Sequence, residues 1–164
     1  MILALGAVEV FTAAAPGAVA SRVWTTPLNR VEEALDTGDP AAALTWWREA
    51  QTAALRSGQW EAMVEVGDAS KRFHDGTARA SRAYLTALLR AQRQQSLDGV
   101  LRVATAFGEL GDRDVLAQAL RIAEREAGSD PRARARVQTV ADRWLHRPLR
   151  TERRDSRIPG GLQP

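Results

Sequence analysis

Apolar positions recur along this chain at intervals of three and four residues, and nowhere at intervals of two over a useful length. The pattern therefore predicts helices and no sheet. The clearest stretch is Thr37–Ala50. Gly38 suits the left-handed residue just past a helix end. Asp39 is a good capping residue, and Pro40 fits the first helical position, where no N–H is needed. Ala43, Trp47, Ala50 and Ala54 then fall on one helix face.

Around this junction the pattern predicts seven helices. The first spans Leu28–Thr37, with Val31, Ala34 and Leu35 on its apolar edge. The second runs from Pro40 to about Arg56 and stops at Ser57-Gly58. The third runs from Gln59 to about Phe73 and carries Trp60, Met63, Val66, Gly67 and Ser70 on one side. Thr77 is placed to cap a fourth helix ending near Gln95, with Ala80, Tyr84, Ala87, Leu88 and Ala91 as its stripe. After a turn at Ser96–Gly99, a fifth turns Val100, Val103, Ala104 and Phe107 inward until Gly111-Asp112. The sixth presents Leu116, Leu120 and Ala123. Following Gly128–Pro131, a seventh helix to about Leu145 carries Ala133, Val137, Val140, Ala141 and Trp144. Arg132, Arg134, Arg136 and Arg143 lie off that stripe, as a solvated face requires. Short turns between such helices make antiparallel neighbours.

The turns at Gly38, Asp75 and Gly111 stand about 36–37 residues apart, and fixed self-similarity of this length marks a stacked helix-pair solenoid. Aligned on them, the second helices coincide as Ala43, Trp47 and Ala50; Ala80, Tyr84 and Ala87; and Leu116, Leu120 and Ala123. Met63-x2-Val66-Gly67 and Val100-x2-Val103-Ala104 match in the first helices, whereas Leu28–Thr37 barely fits. On these residues the chain resembles the tetratricopeptide repeat family over about Pro27 to Ala127, with Pro131–Leu145 as a capping helix. It departs from the family in a period above about 34 residues, in lacking the closing proline of the first two repeats, and in its degenerate leading helix. A related helical-repeat class or an irregular bundle is the alternative. The resemblance implies an all-α fold of antiparallel helix pairs stacked as a short right-handed solenoid. It also implies a concave groove, lined by the first helix of each pair, that holds a peptide or a partner protein.

Given that register, the candidate groove residues are Glu65, Asp68 and Arg72 on the third helix and Leu101, Arg102 and Thr105 on the fifth. Their mixed charge favours a polar or mixed peptide; the competing reading is a merely solvated face. Trp46-Trp47 is the most distinctive dipeptide. Adjacent helical residues point about 100° apart, so Trp47 is expected in the core. Trp46 either fills a seam between repeats or anchors a partner.

Composition changes this picture little. Of 164 residues, 45% are hydrophobic and 26% charged, as in an ordinary globular domain. The absence of cysteine excludes disulfides, thiolate zinc sites and cysteine nucleophiles. The net charge of +3 is local: Arg147, Arg150, Arg153, Arg154 and Arg157 against Glu152 and Asp155 account for it, and the preceding chain is balanced. Residues 147–164 are thus read as a poorly ordered Arg-rich tail, 27–146 as the repeat domain, and 1–26 as an apolar leader. Met1–Ala20 ends in Ala18-Val19-Ala20 after Pro16-Gly17, like a signal-peptidase site, but Glu9 interrupts the run and no basic residue precedes it. A cleaved leader would place the protein in a bacterial envelope, and an uncleaved one in the cytoplasm. The segment is too short and interrupted for a transmembrane span.

Catalytic chemistry finds no footing. His74 and His146 belong to no ligand or triad spacing, and Glu61 and Glu65, one turn apart, lack a third ligand. No phosphate-binding loop is present. No catalytic residue, metal ligand or cofactor is therefore assigned, and an enzyme on an α-bundle is the weakest reading. The expected function is a non-enzymatic scaffold that binds a protein or peptide. A cytoplasmic regulatory or nucleic-acid-associated module using the Arg-rich tail is the alternative. Five arginines with two acids and no interleaved aromatic residue speak weakly for nucleic acid.

Overall fold

A computed structural model describes residues 22–145. Among them are seven helices and no strand: α1 Thr25–Asp36, α2 Pro40–Ser57, α3 Trp60–Ser70, α4 Thr77–Arg93, α5 Leu97–Leu110, α6 Arg113–Ala127 and α7 Pro131–Leu145. The leader Met1–Ala20 and the tail from Arg147 lie outside the described residues, and with them the expectations of export and of disorder.

Two junctions share one local device. At Gly38-Asp39 the glycine sits at φ 76° and the Asp39 N–H donates back to Ala34 O at 2.8 Å. The Asp39 carboxylate then accepts from the Ala42 N–H at 2.9 Å and caps α2. Gly111-Asp112 repeats this, with φ 77°, a 3.0 Å bond from Asp112 N–H to Phe107 O, and a side-chain cap on Val115 N–H at 3.1 Å. A left-handed residue followed by a capping carboxylate ends one helix and starts the next within two positions. The middle turn is built differently. Gly76 has φ −72° and caps α4 through no side chain, so Thr77 is the first helical residue and not the cap.

Other boundaries also shift. α3 stops at Ser70, where the Ser70 hydroxyl donates to Val66 O at 2.9 Å, and not near Phe73. Ser96 is the N-cap of α5, accepting from the Gly99 N–H at 3.1 Å, so Leu97–Gly99 are helical. α1 begins at Thr25, ahead of Leu28, because Pro27 lies in the first turn, where its missing N–H has no intrahelical acceptor to lose.

Each helix packs on the next in the chain, and α1 on α3, α3 on α5 and α5 on α7 make a further row of contacts. The core runs through all of them. Ala43, Trp47, Ala50 and Ala54 of α2 are buried. So are Ala80, Tyr84, Ala87 and Ala91 of α4, and Leu116, Leu120, Ala123 and Ala127 of α6. Trp47 fills the core as expected and donates its indole N–H to Val66 O at 3.1 Å. Tyr84 stands edge-on to Phe107, with ring centroids 5.9 Å apart. Gly67 makes room for that tyrosine: a Cβ there would lie 2.4 Å from Tyr84 Cε1.

Candidate functional site

The odd-numbered helices carry the polar surface on which most of the expected groove residues meet. Glu65 and Asp68 lie one turn apart on α3, and Arg72 follows in the turn after it. Glu65 accepts the indole N–H of Trp24 at 2.7 Å, which pins the residue just before α1 onto α3. Asp68 is the junction of the surface. Its Oδ1 accepts the Tyr84 hydroxyl at 2.5 Å and its Oδ2 accepts Arg102 of α5 at 2.6 Å, while Lys71 stands 3.6 Å away.

These bonds belong to a ladder of charge pairs across the row. Arg72 pairs with Glu32 and with Asp36 of α1, the latter at 3.0 Å. Lys71 reaches Glu109 of α5 at 2.8 Å, and Arg136 of α7 pairs with Asp98 of α5. The cross-helix pairs thus follow the helices already in contact. Burial, aided by the Asp68 carboxylate, holds the Tyr84 hydroxyl well above its ordinary pKa. Tyr84 is therefore a fixed neutral donor, not a proton carrier near neutral pH.

Two shallow depressions open on this surface. One, of about 310 Å³, lies between α1 and α3 and is bordered by Leu28, Asn29, Glu32, Glu65 and Asp68. The other, of about 350 Å³, lies between α5 and α7 and is bordered by Leu101, Arg102, Thr105, Arg136 and Val140. Leu101 is only 6% exposed, so it contributes a floor and not a protruding contact. Arg72 is committed to α1 carboxylates beside the first depression.

Trp46 is not brought together with the others. It lies half-buried on α2 with the Arg30 guanidinium 4.3 Å over its ring, and borders a depression with Glu33, Ala34 and Thr37 of α1. It fills a seam between α1 and α2. His74 is exposed, and its neighbour Asp75 is engaged by Arg79 at 2.9 and 3.1 Å. That guanidinium holds the Asp75 carboxyl below the ordinary carboxylate range. Among the described residues, no group of three His, Cys, Asp or Glu side chains is placed to hold a metal ion.

The sequence reading missed Trp24, Lys71, Glu109 and Arg136. Trp24 had a signal: Trp24, Leu28, Val31 and Leu35 continue the α1 stripe at helical spacing. The other three are exposed charges whose cross-helix partners lie more than thirty residues away, and no local pattern marks those pairings. No protein-family model, no curated protein and no solved structure matches the chain. The geometry alone carries the functional argument.

Proposed function

We propose that the protein is a non-enzymatic scaffold of tetratricopeptide-like construction, with antiparallel helix pairs stacked as a short right-handed solenoid. On this reading it binds a peptide or a partner protein along the surface of α1, α3, α5 and α7. One observation carries the proposal: the odd-numbered helices contact one another in a continuous row, and Glu65, Asp68, Leu101, Arg102 and Thr105 border the depressions along it. A row of first helices is the surface such a stack offers to a ligand. The matching small-large-small spacing of the buried residues on α2, α4 and α6 supports the same construction.

The chemistry of the surface fits a partner of mixed charge. Acidic side chains of α1, α3 and α5 are interspersed with Lys71, Arg72, Arg102 and Arg136, so a single-sign ligand would meet repulsion as well as attraction. Each pair is at least partly exposed, and exposed ion pairs are worth only about 0–1 kcal/mol. A partner can exchange its own charges for these at small expense. No described helix is long and apolar enough to cross a membrane.

In-cell photo-crosslinking tests the proposal. A benzophenone amino acid placed at Thr105 or Asn29 should yield a discrete crosslinked partner, whereas the same group at Arg48, exposed on α2, should not. Crosslinks from Arg48 alone would overturn the assignment of the binding face.

A further inference from the structure

Alone among the described helices, α4 carries arginine but no acidic residue. Two of its four arginines are engaged within the fold. Arg79 bonds Asp75. Arg90 is 8% exposed, and its guanidinium donates to Ala54 O, Gln59 O and Leu55 O, each at 2.9 Å, a clamp that joins the carbonyl end of α2 to the start of α3. The other two, Arg82 and Arg93, are exposed and form no ion pair among the described residues. Between them on the same face stand Leu85, 41% exposed, and Leu89, 59% exposed. Arg82, Leu85, Leu89 and Arg93 follow one another at three- and four-residue intervals, which makes a single outer stripe opposite the buried Tyr84, Ala87 and Ala91.

α6 extends the positive charge. Its Arg125 is exposed and borders, with Gln92 and Gln95 at the end of α4, a depression of about 460 Å³. Glu126 lies beside it, but both of its carboxylate oxygens are sealed from solvent and accept no hydrogen bond among the described residues. The acid therefore gives Arg125 no ion pair at the surface. Arg121, one turn earlier, is exposed and bonds the neutral Gln118. The contrast with the odd-numbered row is plain: there Lys71, Arg72, Arg102 and Arg136 each have an acidic partner within the fold.

We propose that this outer face of α4 and α6 binds an acidic amphipathic helix of a partner protein. Apolar residues one turn apart on that helix cover Leu85 and Leu89, and the carboxylates flanking them meet Arg82 at one end and Arg93 and Arg125 at the other. Such recognition joins apolar anchors at helical spacing to complementary charge. Arg82 and Arg93 lie about 16 Å apart along the axis of α4, at about 1.5 Å per residue, a length that three turns of a partner helix match. A lipid surface suits the face less. The main apolar stripe of α4 lies in the core, and two partly exposed leucines fall short of the apolar face that an interfacial helix sinks among lipids. A nucleic acid would answer the arginines but leave the leucines bare, and α4 and α6 expose no aromatic side chain for stacking. The site belongs to the even-numbered helices, so it stands or falls separately from the surface proposed above.

The test is fluorescence anisotropy with the full chain and a fluorescein-labelled synthetic helix that carries leucines one turn apart between glutamates. Saturable binding that weakens as salt rises is expected. The same helix with lysine in place of glutamate, or serine in place of leucine, should not bind. Leu85→Ser with Leu89→Ser, and separately Arg82→Gln with Arg93→Gln, should each weaken binding at least tenfold. All four side chains are exposed, so both double variants should keep the native melting temperature. Arg48→Gln, which removes an exposed arginine from α2, should leave the affinity unchanged. Absence of saturable binding, equal binding of the lysine or serine helix, undiminished affinity in either double variant, or an equal loss in Arg48→Gln would each overturn the proposal. So would binding to phosphatidylserine vesicles or to a DNA duplex that is tighter than binding to the acidic helix and is lost in the same double variants.

Discussion

Replacing Arg90 by Met keeps most of the aliphatic stem and deletes the guanidinium donors at the end of α2, leaving the Ser57 hydroxyl on Ala54 O. Three carbonyls then lose a charged donor at 2.9 Å, in a place where Arg90 as a whole is 8% exposed. Hydrogen bonds to charged groups contribute about 1.5–3 kcal/mol each, which sets a ceiling of about 4.5–9 kcal/mol. The native state also bears the desolvation of a buried guanidinium, several kcal/mol, and burial shows itself by lowering the Arg90 pKa, with Arg93 adding to the effect. The net loss expected for Arg90→Met is therefore about 2–4 kcal/mol. With a urea m-value of about 1.5 kcal/mol/M, the unfolding midpoint should fall by about 1.3–2.7 M. Amide exchange should accelerate first at the end of α2 and the start of α3. Arg90→Lys, which keeps the charge but presents one compact ammonium to three carbonyls, should recover only part of the loss. A midpoint shift below about 0.3 M for Arg90→Met would refute the reasoning, because the clamp would then add nothing beyond its own desolvation.

Three further perturbations test other contacts of the fold. Trp47→Ala removes a buried indole and the donor to Val66 O, and calorimetry should show a loss of about 3–5 kcal/mol. Gly67→Ala drives a Cβ to 2.4 Å from the Tyr84 ring and should cost about 1–3 kcal/mol. In a double-mutant cycle the penalty should shrink when Tyr84 is cut to Leu, and strict additivity would contradict the contact. Burial raises the Glu126 pKa above its ordinary 4.5, against the opposing pull of Arg125. Its neutral form is thus the one favoured by folding: the contribution is fully present below the ordinary value and is lost as pH rises through the raised one. Glu126→Gln should therefore match the native melting temperature near pH 4 and exceed it progressively toward pH 7. A gap that stays constant with pH would show that the carboxylate is not confined.

Helix number and most helix ends were legible because the punctuation is chemical. Gly38-Asp39 and Gly111-Asp112 each combine a positive-φ glycine with a carboxylate that caps the next helix, and both elements of that device are visible as letters. The Asp75-Gly76 turn was aligned with them by spacing, yet it uses neither part, so spacing overstated the likeness. Stripes located Trp47 and Tyr84 in the core for a simple reason: a large apolar side chain at helical period has nowhere else to go. The polar surface was legible only as a face. Glu65, Asp68, Arg102 and Thr105 could be placed on it from helical register, but their bonds could not. Asp68 meets Tyr84 of one helix and Arg102 of another, an outcome of docking three helices at once. Arg90 shows the converse failure. An arginine at the edge of an apolar stripe is normally read as snorkelling to solvent, and here the carbonyls at the end of α2 turn it inward.

The two ways this fold uses charge divide its residues by consequence. On the odd-numbered row, charges are paired across helices at partly exposed positions, where each pair is worth little and can be exchanged for a partner's. Substitutions there should register in binding well before they register in stability. At the ends of α2 and α4, charge is buried, so its effect on folding is large and its sign depends on what it faces. Arg90 faces carbonyls and is satisfied; Glu126 lies at a helix end, where a carboxylate is unfavourable and its oxygens find no donor among the described residues. An acid confined where the fold elsewhere places a guanidinium is a liability to the isolated chain.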